Sequence, residues 1–156
     1  MTHCVQRFWR RPAIAAATMA LFSTAGTAST AAHAGELQVT IHKLLPDQGT
    51  LLLALFATEQ GFPDQPQPSQ PQLKVPAKGE VVIATFRDVP PGRYAVMVVQ
   101  DLNGNGRIDY NFVGMPREPY GASNNRLPAL SPPKFEESLF QVTGDRSALT
   151  IELRRP

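Results

Sequence analysis

Residues 80–101 read EVVIATFRDVPPGRYAVMVVQD, and this stretch decides the fold class. Val82, Ala84 and Phe86 recur at every second position, the period that places side chains on one face of a strand. The segment DVPPGRY then turns the chain, since proline fixes φ and Gly92 permits a tight bend. Beyond it Tyr94, Val96 and Val98 alternate with Ala95, Met97 and Val99. Both sets are apolar, so this second strand is expected to be covered on both faces.

Working outward, TLLLALFA at 50–57 is likewise apolar on both sides. A helix fits the same letters, but eight residues bounded by DQG and EQGFP favour a strand. ELQVTIHK at 36–43 alternates, with Leu37, Val39 and Ile41 facing inward. Five prolines scattered among glutamines in GFPDQPQPSQPQLKVPAKGE predict an extended, polyproline-like surface loop, because each proline removes a backbone donor. Near the end come SLFQVTG and ALTIELR, and Gly144-Asp145 between them predicts a hairpin. SPPKFEES predicts one helical turn with Ser131 as cap and Pro132 first in the helix. Glu136 and Glu137 then fall in its first turn, where they suit the helix dipole. Six to seven short strands, with prolines and glycines at the turns, amount to an all-β chain. The expected fold is a single antiparallel β-sandwich of immunoglobulin-like or transthyretin-like kind.

The N-terminal residues stand apart. Arg7, Arg10 and Arg11 precede the weakly apolar run AIAAATMALFSTAGTA, and Ala32-His33-Ala34 has the spacing of a signal-peptidase site. Residues 1–34 are therefore expected to be a signal peptide and 35–156 the mature β domain. The Arg10-Arg11 pair raises twin-arginine export as an alternative, although proline follows it directly. Cleavage would remove Cys4, the only cysteine, so the mature chain would have no disulfide and no thiolate metal site. Three of the 15 basic residues and none of the 13 acidic ones would leave as well, for a net charge of about −1. That charge argues against nucleic acid as a partner. No stretch of the mature chain is apolar enough to span a membrane. The expected location is the periplasm or the exterior, with a ligand there that the sequence does not specify.

Directly after the second strand comes DLNGNGRID, residues 101–109. Asp101, Asn103 and Asn105 stand at positions one, three and five of a loop whose sixth residue is Gly106. Arg107 would offer its backbone carbonyl at seven, and Asp109 stands at nine. Ile108 at eight would turn away to pack. Calcium takes six to eight hard oxygens, and this is the first three-quarters of the EF-hand loop pattern. The last quarter is absent, because position twelve is Phe112 rather than glutamate. Glu118 is the nearest replacement in sequence; Glu136 or Glu137 would have to approach through the fold. The sequence thus predicts a weak calcium site at Asp101, Asn103, Asn105, Arg107, Asp109 and Glu118. The alternative is a turn whose side chains bond only their own backbone.

Catalytic chemistry has little footing. His42 would be the single histidine of the mature chain, on the polar side of the first strand. Ser123 has no histidine near it in sequence. The expected function is a non-enzymatic binding or accessory module at the cell envelope. Its rivals are a metal-dependent enzyme and a structural module without metal. The run from Tyr110 to Asn125 is expected to be an ordered loop that packs Phe112, Met115 and Tyr120 over one end of the domain.

Four segments together, GTLLLALFATEQGFP, FRDVPPGRYAVMVVQDLNGNGRID, NFVGMPREPYGASNN and PPKFEESLFQV, resemble a bacterial family catalogued as domain of unknown function 2141. The similarity runs from about Leu37 to Leu153, and members look like small exported proteins. The family's D-x-N-x-N-G-x-x-D segment falls on Asp101, Asn103, Asn105, Gly106 and Asp109. Its G-x-P-x-E-x-x-G-x-S-N-N segment falls on Gly114, Pro116, Glu118, Gly121, Ser123, Asn124 and Asn125. The resemblance keeps Glu118 in play as a ligand or a loop brace. This chain departs from the family mainly in a longer Pro/Gln insertion, Pro66 to Pro71. DVPPGRYAV also resembles the strand-turn-strand of transthyretin-like and carboxypeptidase-regulatory-like sandwiches, a likeness of fold that does not carry function.

Overall fold

A computed structural model describes residues 34–129 and 131–156. The expected signal peptide lies outside the described residues, apart from Ala34. Among the described residues eight strands form two sheets, and all but one of the paired neighbours are antiparallel. The first sheet has the order β4 (Val82–Val89), β1 (Gly35–His42), β8 (Arg146–Glu152). The second has the order β3 (Gln72–Pro76), β2 (Thr50–Phe56), β5 (Gly92–Asp101), β6 (Tyr120–Ala122), and β7 (Phe140–Val142) also pairs with β5.

Strand alternation explains the core. Leu37, Val39 and Ile41 of β1 share one buried cluster with Leu51, Leu53 and Leu55 of β2 and Val96 and Val98 of β5. The intervening residues of the second sheet, Ala54, Phe56, Ala95, Met97 and Val99, are buried too. They enter a second cluster with Ile108, Tyr120, Ala122 and Phe135, beneath the long connections. Double coverage is what the apolar runs of β2 and β5 predict. In β1 only one set is fully buried, as its alternation predicts.

The DVPPGRY turn carries the chain from one sheet to the other, since β4 pairs with β1 and β5 with β2. The Tyr94 hydroxyl closes it by donating to the Pro90 carbonyl at 3.0 Å.

Three expectations for these elements fail, and a fourth, the packing of Phe112 over the domain, fails beyond β5. Gly144-Asp145 does not make a hairpin: β7 joins β5, whereas β8 crosses to the other sheet and runs parallel to β1 from Glu36↔Arg146 to His42↔Glu152. The fold is therefore not purely antiparallel. Second, the end of the Pro/Gln segment is a strand. β3 pairs with β2 in the register Leu51↔Val75 and Leu53↔Leu73, with Pro76 at its end, where an edge strand tolerates proline. Third, the helical turn is Phe135–Ser138 with Lys134 as N-cap, three residues later than Ser131 would give. Phe135 is drawn into the second cluster, and that sets the start. Glu136 and Glu137 do lie in its first turn. No helix among the described residues is long and apolar enough to cross a membrane.

Candidate functional site

The central strand β5 ends at Asp101, paired with Thr50, and its carboxylate is only 2% exposed. Burial obliges the charge to find donors. Asp101 Oδ1 accepts the Gly104 N–H and Oδ2 the Gly106 N–H, each at 2.7 Å. Both glycines have positive φ, 76° and 77°, and this lets the backbone curl so that its amides face the carboxylate. Asn103 Oδ1 accepts the Asn105 N–H at 3.1 Å, and Asn105 Oδ1 accepts the Arg107 N–H at 2.9 Å. The two amide groups then turn their Nδ2 atoms toward Asp109. Asn103 donates to Oδ2 at 2.6 Å, and Asn105 to both oxygens at 3.0 Å. Arg107 Nε stands 4.0 Å from Asp109 Oδ1. Ile108 points away into the second cluster, as its loop position requires.

Glu118, 4% exposed, reaches the loop from the returning chain. Its Oε1 accepts the Leu102 N–H at 2.9 Å and its Oε2 the Asp109 N–H at 3.1 Å. It therefore ties the two ends of the loop together. The return path is fixed by backbone bonds from Arg117 N–H to the Asp109 carbonyl and from Gln100 N–H to the Pro119 carbonyl, both 2.8 Å. Five of the expected residues, Asp101, Asn103, Asn105, Arg107 and Asp109, thus belong to one hydrogen-bonded loop. Glu118 joins it as a brace with both oxygens engaged by backbone. Glu136 and Glu137 lie on the helical turn and make no hydrogen bond to this loop.

The donor set is oxygen-rich and hard, which suits calcium: two carboxylates, two amide oxygens and the Arg107 carbonyl come from one segment. Among the described residues, however, no three His, Cys, Asp or Glu side chains are grouped as a metal site. Neutral oxygens would have to complete any cation shell here.

The polar stretch after the loop is a set of staples. Ser123 is fully buried; its Oγ accepts the Val96 N–H at 3.0 Å and donates to the Ser138 carbonyl. It fills a gap along β5 between the β6 pairing, which ends at Met97↔Ala122, and the β7 pairing, which begins at Tyr94↔Phe140. Asn124 Nδ2 donates to the Glu137 and Leu139 carbonyls at 3.0 and 2.9 Å. Asn125 grips the β8 edge, accepting from Glu152 N–H at 2.8 Å and donating to the Thr150 carbonyl at 3.2 Å. Both asparagines have positive φ, a region asparagine tolerates better than most residues. Ser123 and Asn124 both fasten the helical turn, Ser123 tying it to β5, and Asn125 fastens β8.

Two further residues escaped the sequence reading. Gln100 is fully buried; its Oε1 accepts the Leu45 N–H, and its Nε2 donates to the Leu45 and Gln48 carbonyls at 2.7 Å. It anchors the β1–β2 connection. Its only signal was a glutamine ending an otherwise apolar run. The Tyr110 hydroxyl donates to Asp64 Oδ2 at 2.7 Å and latches the proline-rich segment to the loop exit. Burial, followed by that hydrogen bond and the Asp64 charge, raises the Tyr110 phenol well above its ordinary value.

A β domain of two sheets with a braced, oxygen-rich loop at the end of its central strand is the class defined by these features. The family model described as uncharacterised protein conserved in bacteria, DUF2141, matches residues 39–150, and the chain belongs to that family. No curated protein and no solved structure gives a significant match.

Proposed function

We propose that this chain is an exported, non-enzymatic β-sandwich module of the bacterial envelope whose 101–109 loop takes up calcium weakly. Asp101, Asn103, Asn105, the Arg107 carbonyl and Asp109 would hold the ion, and Glu118 would keep the loop ends together from behind. The observation that carries the reading is that one exposed loop brings the oxygen-bearing side chains of Asp101, Asn103, Asn105 and Asp109 into a single set, with the asparagine Nδ2 groups standing on Asp109 where a cation would have to replace them. Export rests on the pattern of residues 1–34. A sandwich of immunoglobulin-like or transthyretin-like kind is supported by the cluster that the two sheets share.

Two observations speak against catalysis. Leu102–Arg107 are exposed, and the cavity that Gly106, Arg107 and Ile108 border is small, about 70 Å³. Ser123 is sealed and spent on two backbone partners. One observation favours a cation-free turn: every buried side-chain polar atom among the described residues already has a partner.

An amide NMR titration separates the two readings. Calcium is expected to move the Leu102, Gly104, Gly106 and Arg107 amides, with a midpoint of roughly 0.1–1 mM as in other extracellular sites. Unmoved amides at about 10 mM calcium, well above that range, would leave the loop a hydrogen-bonded turn.

A further inference from the structure

Phe112 does not pack over the domain as the sequence predicts; it is 101% exposed, with Val113 beside it at 64%. The tip that presents it is firmly built. Asn111 Oδ1 accepts the Val113 and Met115 N–H groups at 3.0 and 2.9 Å. The Asn111 N–H donates to the Met115 carbonyl, the Gly114 N–H to the Asn111 carbonyl, and Tyr110 pairs with Pro116 as an antiparallel bridge. The phenyl ring is therefore held fully in solvent, with Val113 beside it, on a tied-down hairpin.

Beside the same tip lies a cavity of about 150 Å³, walled by Met97, Ile108, Met115, Tyr120, Pro132 and Pro133, with Val113 and Ser131 also lining it. A dry apolar cavity of about 150 Å³ is the size that takes up benzene. Methionine sulfur next to an aromatic ring is a favourable contact. The chain thus carries a benzyl group and a benzyl-sized receptacle side by side, and Phe112 stands outside its own.

We propose that two copies of this chain associate about a two-fold axis, the Phe112 ring of each entering the Met97–Met115 cavity of the other. An isologous contact needs one patch that is its own complement, and the ring and cavity together supply it. Charge permits the approach: Asp64, bonded to Tyr110, and exposed Arg117, next after Pro116, place both signs near the patch. Two rings of roughly 150–250 Å² each, with the walls that receive them, bury roughly 600–1,000 Å² in total. That is below the roughly 1,200 Å² at which stable specific interfaces begin and in the range of transient encounters. The association is therefore weak and reversible, and it does not depend on a cation in the neighbouring loop.

Sedimentation equilibrium over a concentration series tests this. The wild-type protein is expected to dimerise, and Phe112→Ala to weaken the dimer at least tenfold. Because Phe112 is fully exposed, that variant folds. Ser131→Trp, placed to fill the receptacle from its rim, weakens self-association too. A mixture of the two variants regains association, because one intact ring meets one intact cavity. A monomer at all concentrations up to about 1 mM, where even millimolar binding would show, overturns the proposal. So does a dimer indifferent to Phe112→Ala. Phe112-dependent binding of a monomer to lipid vesicles would make a membrane the occupant and would also overturn it.

Discussion

Ser123 shows how a residue that looks reactive in sequence is consumed by architecture. Its hydroxyl satisfies one donor and one acceptor that no strand reaches, so Ser123→Ala leaves both unpaired in a sealed site. The expected cost is about 1–3 kcal/mol, read as a lower melting temperature. An unchanged melt would mean that the gap along β5 is filled by something else. Tyr110 gives a prediction that pH resolves. Unfolded tyrosine ionises near pH 10, whereas folded Tyr110 keeps its proton to higher pH because burial and Asp64 oppose the phenolate. The stabilisation is therefore complete below about pH 10 and is lost as pH rises beyond it. Tyr110→Phe should melt lower than wild type by about 0.5–1.5 kcal/mol near neutral pH, toward the low end because the site is partly exposed. The gap should close in alkaline solution. A gap that widens with pH would contradict the Asp64 latch.

At the scale of elements, the sequence announces β2 and β5 through double apolar faces, and β1 and β4 through alternation. Ile108 and the loop glycines are legible because spacing alone determines where they point. The partners of β7 and β8 are not. A Gly-Asp pair is compatible with a hairpin, and only the sheet order reveals that β8 leaves to lie parallel to β1. Glu118 is legible as an acidic residue near the loop and, through the family resemblance, as a ligand or a brace; that both its oxygens bind backbone depends on a return path set by Pro119 and Arg117. Phe112 was misplaced because apolar character predicts burial, while the Asn111 turn aims it outward. Close packing of elements also explains Gly121. A Cβ there would lie 2.6 Å from Ile151 Cγ2 and 3.1 Å from the Glu152 carbonyl of β8. Gly121→Ala must push β8 away, and a loss of about 1–3 kcal/mol is expected in denaturant unfolding. A neutral result would show that β8 yields at little cost.

For the described domain as a whole, two clusters lie on opposite faces of one sheet. The first is formed by the paired sheets, the second by the connections folded over Ala95, Met97 and Val99. The loop at 101–109 stands where β5 passes into those connections, so fixing it fixes Ile108 and, through Tyr110, the proline-rich segment. A cation held there would stabilise the domain rather than perform chemistry. That claim is tested most directly by melting the protein in EDTA and in calcium, beside Asp109→Asn, which keeps the size of the side chain and removes its charge. At calcium ten times a dissociation constant of about 0.1 mM, binding to the native state contributes about 1.4 kcal/mol. For a domain of this size the melting temperature should rise by roughly 3–8 °C, and the rise should vanish in Asp109→Asn. Identical melts in EDTA and in about 10 mM calcium would contradict the account and leave Asp101–Asp109 a turn closed by its own hydrogen bonds.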